Sequence, residues 1–344
     1  MKFIFFSFKH RHRKKDLNNF LKTRLFKDFF LLDLSGPIKH YFAKILIFLN
    51  IGKAVSFDGQ PLIPDKKSGI NFWVRGTYLD IPEKYRNRNN NYVTIFNPIL
   101  KKENKVLSLY PVDIIKSKIN IHPKLIYMSK TLNKDHLTKQ RDLLFDGQPH
   151  KYKKDYEMWI NLKSEILNDF SLIDNISFWN KNFASDSEYK YIQIYINFKT
   201  FLRHEIILNI KSTFKDQFLL VGDDWMEYFH DAIKSTYSSK DIKKLYRGNI
   251  CLDLGSILGS ISLYSRSNQI IESGGLLIQS NQNDSNKIWG PLTKDFLFND
   301  LNTLNRLIQK LLNDNLLCNE LLNKTHSHFN NGEENMNKIL SNIF

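Results

Sequence analysis

The chain has 344 residues, 42% hydrophobic and 13% aromatic, which is ample for packed cores and excludes a disordered protein. Its length exceeds what one core usually sustains, so two domains are expected. Fifty Lys and Arg against 35 Asp and Glu give a formal net charge of +15, a balance that points to phosphate-bearing ligands, nucleic acid or an anionic membrane surface.

Cys251 and Cys318 lie in apolar surroundings and form no CxxC pair, which argues for buried thiols in a reducing compartment, with no disulfide framework or zinc site. The histidines show no metal-ligand spacing; the close pairs His10/His12 and His326/His328 read as surface residues. At the N-terminus an apolar run precedes the charge (KFIFFSFKHRHRKK), the reverse of an export signal. The most apolar later stretch, 43–51, is interrupted by Lys44 and too short to span a bilayer. The expected location is therefore cytoplasmic, peripheral on the inner face of the membrane. Nine Lys/Arg among the first thirty residues, against Asp16 and Asp28, read either as a solvated face or as a lipid- or polymer-facing basic patch.

In chain order, Lys2–Phe8 reads as a strand. Apolar spacing predicts helices over 18–32 and 38–49, broken by Ser35-Gly36-Pro37. Short strands are predicted at 54–57, 70–74, 92–96, 106–109 and 125–127, and a helix at 154–170. Ser185-Asp186-Ser187-Glu188 is the expected linker, placing one domain at 1–188 and a second at 189–344. The second is predicted to run strand 191–196, helix 201–212, strand 218–221, a helix opening at Gly222-Asp223-Asp224-Trp225, and a short segment at 241–245. A strand–loop–helix–strand unit follows, and two leucine-rich helices at 299–312 and 315–328 close the chain. Alternating strands and helices predict a parallel sheet covered on both faces.

The densest signal is Leu245 to Ser280, LYRGNICLDLGSILGSISLYSRSNQIIESGGLLIQS. An apolar strand ends at Asp253 and Gly255, a Ser/Gly loop (Gly255, Ser256, Gly259, Ser260) leads to a helix near Arg266, and Gly274-Gly275 opens a second apolar strand. Ligands of open α/β sheets bind beyond the carboxyl ends of the strands, so the 253–266 loop is the first candidate site. Backbone N–H groups of such a loop, with an arginine at the helix start, suit a diphosphate.

The pattern Arg266-x-x-Gln269-x4-Gly274-Gly275-Leu-Leu-Ile resembles the C-terminal, nucleotide-sugar-binding domain of two-domain GT-B glycosyltransferases, of the group 1-like and exostosin families. Arg203-His204-Glu205 and Leu219-Leu-Val-Gly222-Asp-Asp-Trp225 extend the likeness over about 150 residues. It implies two Rossmann-like α/β domains facing across a cleft, the N-terminal one on the acceptor side. It also implies transfer of a hexosyl or related group from a nucleotide-sugar donor to an acceptor hydroxyl, in surface polysaccharide or glycolipid biosynthesis. Donor contacts are then expected at Arg203, Asp253, Gly255, Ser256, Arg266, Gln269, Glu272, Gly274 and Gly275. The family's ribose-binding Glu is Gln269 here; either Gln269 bonds the ribose or the register shifts and Glu272 does so. Asp58, Asp113 and His122, with Asp80, are the candidate catalytic bases, and a retaining reaction needs none. No cofactor and no metal is expected, because Gly222-Asp223-Asp224 reads as a turn and helix cap.

Two other classes compete. A basic nucleic-acid-binding protein is supported by charge alone, with no RNP, zinc or helix-turn-helix pattern, so no nucleic-acid partner is expected. A Rossmann oxidoreductase lacks its GxGxxG after a strand.

Overall fold

A computed structural model describes residues 2–8, 29–33, 41, 42, 45, 49, 52–57, 69–73, 91–94, 111, 114, 119, 124–128, 153–183, 188–222, 225, 226, 229–234, 239–255, 262, 263, 265–282, 284–332, 334, 335 and 338. Two compact units emerge, the first comprising Met1–Asp113, Leu258–Ser265 and Phe329–Phe344, the second Ile114–Ile257 and Arg266–His328.

The first unit holds strands β1 (Lys2–Phe8), β2 (Phe29–Asp33), β3 (Gly52–Phe57), β4 (Gly69–Trp73) and β5 (Asn91–Thr94) in one parallel sheet of order β2-β1-β3-β4-β5. Four of the five fall where the sequence predicts strands. Phe29–Asp33 was expected to end a helix and is instead a strand in register with β1, Lys2 opposite Phe29. Four consecutive apolar residues suit a strand of a parallel sheet as well as a helix turn, and periodicity alone does not separate the two. The strand expected at 106–109 lies outside the described residues.

The second unit repeats the topology. Its strands are β6 (Leu125–Met128), β7 (Phe218–Val221), β8 (Ile250–Asp253), β9 (Leu276–Ser280) and β10 (Leu297–Phe298), all parallel, in the order β10-β9-β8-β6-β7. Relabelled by appearance, both sheets read 2-1-3-4-5, a doubly wound order. Of the seventeen positions in β6 to β9, sixteen are buried and one, Leu219, is half-buried, as a sheet covered on both faces requires.

Two expectations are corrected here. The strand at 125–127, assigned to the first domain, is the central strand of the second sheet, pairing with β7 and β8. That strand belongs to the second compact unit, which begins at Ile114. The predicted strand at 191–196 is the first part of a 27-residue helix, Glu188–Phe214. That stretch contains no Gly or Pro, and from Ile194 to Arg203 every residue but the half-buried Ile196 is buried, as on a helix packed around most of its circumference.

We number the helices α1 (Lys153–Asn168), α2 (Ile176–Phe183), α3 (Glu188–Phe214), α4 (Ser239–Tyr246), α5 (Ser265–Glu272), α6 (Ser285–Trp289), α7 (Leu301–Asn313) and α8 (Asn315–His328). The 3-10 turn Phe170–Asp174 links α1 to α2. Aromatic packing locks the first three helices together: Phe198 of α3 meets Trp159 at 5.5 Å and Trp179 at 5.4 Å, ring centre to ring centre. The Trp179 Nε1–H donates to the Ile173 carbonyl at 2.6 Å. Asp300 caps α7, accepting the Thr303 N–H at 2.7 Å. Both cysteines are free and buried, and burial pushes the Cys251 thiol well up and that of Cys318 to about 11. Among the described residues no helix is long and apolar enough to cross a membrane.

Phe198 is fully buried, so Phe198→Ala leaves a cavity between α1, α2 and α3. We expect it to cost about 3–5 kcal/mol in urea unfolding followed by tryptophan fluorescence. A change below about 1 kcal/mol would show that the aromatic contact does not hold the helices.

Candidate functional site

The carboxyl ends of β8 and β9 border a small, partly open cleft within the second unit. Leu254 follows β8, Ser280 ends β9, and Asn281 and Gln282 follow it; these line one side. Lys199, Leu202, Arg203 and Ile206 of α3 line the other, with Phe170 and Asp174 of the 3-10 turn at the end. The turn is held there by the Phe170 N–H donating to the Asn299 carbonyl at 2.6 Å and by edge packing of Phe170 on Phe298.

Lys199 and Arg203 are one helical turn apart and so share a face of α3. Both are buried, at 8% and 5% exposure. Long cationic side chains are almost never buried without partners, so each needs an account. Lys199 Nζ pairs with Asp174 Oδ2 at 2.7 Å, and the Tyr195 hydroxyl donates to Asp174 Oδ1 at 2.7 Å. Burial, reinforced by the Asp174 carboxylate, pushes the Tyr195 hydroxyl well above its ordinary range, so it stays a donor. Arg203 Nη2 donates to the Gly255 carbonyl at 2.8 Å, while its Nε has no hydrogen-bond partner among the described residues. The cleft thus carries two cations against one carboxylate, with the amides of Asn281 and Gln282 and the Ser280 hydroxyl beside them. That set suits an anion bearing hydroxyl groups nearby.

Asp253 positions this edge without lining the cleft. It is fully buried; Oδ1 accepts the Gly255 N–H at 3.1 Å, and Oδ2 accepts the Ser267 hydroxyl at 3.1 Å and Gln279 Nε2 at 3.5 Å. Gln279 Oε1 in turn accepts the Trp289 Nε1–H at 3.4 Å. One carboxylate therefore ties the end of β8 to α5, β9 and α6. Gly255 has φ +74°, a left-handed conformation that favours glycine, and a Cβ there would stand 2.8 Å from Gln282 Nε2, whose side chain would have to shift.

Of the predicted donor contacts, Arg203, Asp253 and Gly255 come together at this edge. Arg266 is half-buried on α5 and does not line the cleft; its charge acts on the buried Tyr246 hydroxyl, opposing the upward push of burial. Gln269 is further along α5. Glu272, Gly274 and Gly275 stand at the other end of the sheet. The Gly248 N–H donates to the Gly274 carbonyl at 3.0 Å and the Leu276 N–H to the Asn249 carbonyl at 2.9 Å, and both of these partners precede β8. A helix returning between parallel strands carries its last residues to their amino ends, away from the crevice. The glycines there serve the chain reversal: Gly274 has φ +76°, the left-handed conformation that ends a helix, and a Cβ on Gly275 would stand 2.8 Å from the Tyr246 carbonyl. Ser256, Asp58, Asp80, Asp113 and His122 lie outside the described residues, as do Asp223 and Asp224.

Lys199, Asp174 and Gln282 were not anticipated. Lys199 had a sequence signal, a cation set among Phe198, Phe201 and Leu202 one turn before Arg203. It is visible only once 188–214 is read as one helix. No protein-family model matches the chain, and no curated protein matches it in sequence.

Gly255→Ala should cost about 1–2 kcal/mol from the left-handed backbone alone, with a further loss as Gln282 is displaced. Chemical denaturation with thermal melting checks this. Stability equal to the parent chain would show that the turn relaxes freely.

Proposed function

We propose that this chain is a glycosyltransferase that moves a sugar from a nucleotide-diphosphate donor to an acceptor hydroxyl in surface polysaccharide or glycolipid assembly. The observation that carries the reading is the buried pair Lys199 and Arg203, one turn apart, at the carboxyl edge of a doubly wound parallel sheet. A diphosphate is the anion such an edge is suited to take. The unpaired Nε of Arg203 offers it a fixed donor, and Lys199, held by Asp174, supplies the second charge. Ser280, Asn281 and Gln282 offer hydrogen bonds to the sugar or ribose hydroxyls.

In this reading the site works through charge. As the bond from the anomeric carbon to the diphosphate oxygen breaks, negative charge accumulates on the leaving group, and buried cations stabilise it more than solvated ones would. Asp253 keeps the Gly255 turn, and so the carbonyl that anchors Arg203, in place while this happens. The first unit, also a 2-1-3-4-5 parallel sheet, is the acceptor side of the proposal. The two units facing each other across a reaction cleft, as in GT-B enzymes, belong to it as well.

A thermal-shift screen against UDP-, GDP-, CMP- and dTDP-linked sugars tests the reading. A ligand at about 100 times its dissociation constant adds about 2.7 kcal/mol of stability. Arg203→Ala should weaken donor binding by about ten- to a hundredfold, the loss of a charge-assisted bond worth about 1.5–3 kcal/mol. Turnover is expected to survive EDTA. No stabilisation by any nucleotide sugar, or equal stabilisation of the parent and the Arg203→Ala variant, would refute the proposed site.

A further inference from the structure

In the first unit four large apolar side chains close together in sequence are exposed to solvent. Tyr41, Phe42 and Ile45 are helical, and the Leu49 N–H donates to the Ile45 carbonyl at 3.0 Å, continuing the same turn. Their exposures are 69%, 57%, 41% and 56%. With 3.6 residues per turn, each residue advances roughly 100°, so positions 41, 45, 49 and 42 fall at roughly 0°, 40°, 80° and 100°. Four large apolar groups therefore share one face. The other exposed large hydrophobics among the described residues, Ile160, Leu208, Met226, Ile233 and Leu316, are scattered singly over separate elements of the second unit. Scattered apolar residues are ordinary on a protein surface, whereas a contiguous stripe marks an interaction site.

Charge identifies the occupant. Residues 1–53 contain twelve Lys and Arg (positions 2, 9, 11, 13, 14, 15, 22, 24, 27, 39, 44 and 53) against Asp16, Asp28 and Asp33. Twelve minus three is +9, so these 53 residues hold most of the chain's +15. Lys39 and Lys44 belong to the same stretch of sequence as the stripe. The partner must then combine dense negative charge with an apolar phase. Nucleic acid provides the first but has nothing for Ile45 and Leu49, which cannot stack on bases as Tyr41 and Phe42 can. An anionic bilayer provides both, with acidic headgroups above a hydrocarbon boundary that accepts aromatic and aliphatic side chains.

We propose that Tyr41, Phe42, Ile45 and Leu49 insert into the interfacial layer of an anionic membrane whose headgroups attract the Lys and Arg of residues 1–53. This inference is independent of the donor site and of any catalytic activity, since binding alone reads it out.

Flotation of the full chain with two vesicle types tests it, one of phosphatidylcholine alone and one of phosphatidylcholine with phosphatidylglycerol. The chain is expected to float with the anionic vesicles at low salt, to dissociate as salt screens the headgroups, and to stay behind with the neutral ones. The quadruple variant Tyr41→Ser, Phe42→Ser, Ile45→Ser, Leu49→Ser should bind at least tenfold more weakly with an unchanged melting temperature, because all four positions are exposed. If that variant is poorly folded, Tyr41→Ser and Leu49→Ser singly should each reduce binding severalfold. Recovery of the parent chain in the soluble fraction with both vesicles at low salt overturns the proposal. So does anionic binding that the serine variants leave intact, or a concentration-dependent dimer that they abolish while the parent fails to float.

Discussion

A buried guanidinium must find partners, and the contact of Arg203 with the Gly255 carbonyl is the constraint around which the second unit is arranged. It spans from the middle of a 27-residue helix to the turn after β8, joining elements 52 residues apart. The turn can receive it only because Gly255 adopts a left-handed conformation and Asp253 holds its N–H. Asp253 in turn collects Ser267 and Gln279, so helix, loop and two strands meet in a single polar network. In a low-dielectric interior such a network rigidifies when it is satisfied and is costly when one member is lost.

The same constraint gives the cleft its character. Phe198 and Phe201 anchor α3 among the aromatic rings of α1 and α2, and Lys199, Leu202 and Arg203 line the cleft at the sheet edge. Asp174 offsets Lys199, and Tyr195 supplies a second hydrogen bond to that carboxylate. A buried pair of this kind contributes little net stability, because desolvation opposes the attraction. Its value lies in placement: Lys199 is held in one position beside an arginine that retains an unused donor. A helix packed for stability by its apolar face thus carries, on the adjacent face, the charges that suit a phosphate-bearing ligand.

The two units share a strand order but distribute charge differently. In the second, cations are few at the site and are buried, where each has a strong and local effect. In the first, Lys and Arg are numerous in residues 1–53, and the exposed stripe of Tyr41, Phe42, Ile45 and Leu49 accompanies them. Screened surface charge acts collectively and depends on salt. One arrangement fits a small ligand held in fixed geometry, the other a broad surface.

Local pattern was enough for much of this protein. The β8–α5–β9 unit, the closing helices α7 and α8, the helix at 153–168, four strands of the first sheet and the burial of both cysteines follow from apolar spacing and turn residues, which act over a few positions. Arg203 was singled out only by the resemblance carried by Arg203-His204-Glu205, whereas the strand end and glycine turn at Asp253 and Gly255 were legible because those are local signals. The placement of Leu125–Met128 at the centre of the second sheet was not, since a four-residue apolar strand fits any parallel sheet and its partners, 90 and more residues away, are chosen by packing. Reading 191–196 as a strand likewise hid Lys199, whose meaning depends on sharing a helix face with Arg203. Glu272 and the Gly274-Gly275 pair show the converse: the spacing was real, but the return of α5 carries them to the amino ends of the strands, where a left-handed backbone explains Gly274 and the Tyr246 carbonyl explains Gly275. Sequence determined which residues form each element; tertiary packing decided which edges met, because the contacts that build the cleft join residues far apart in the chain.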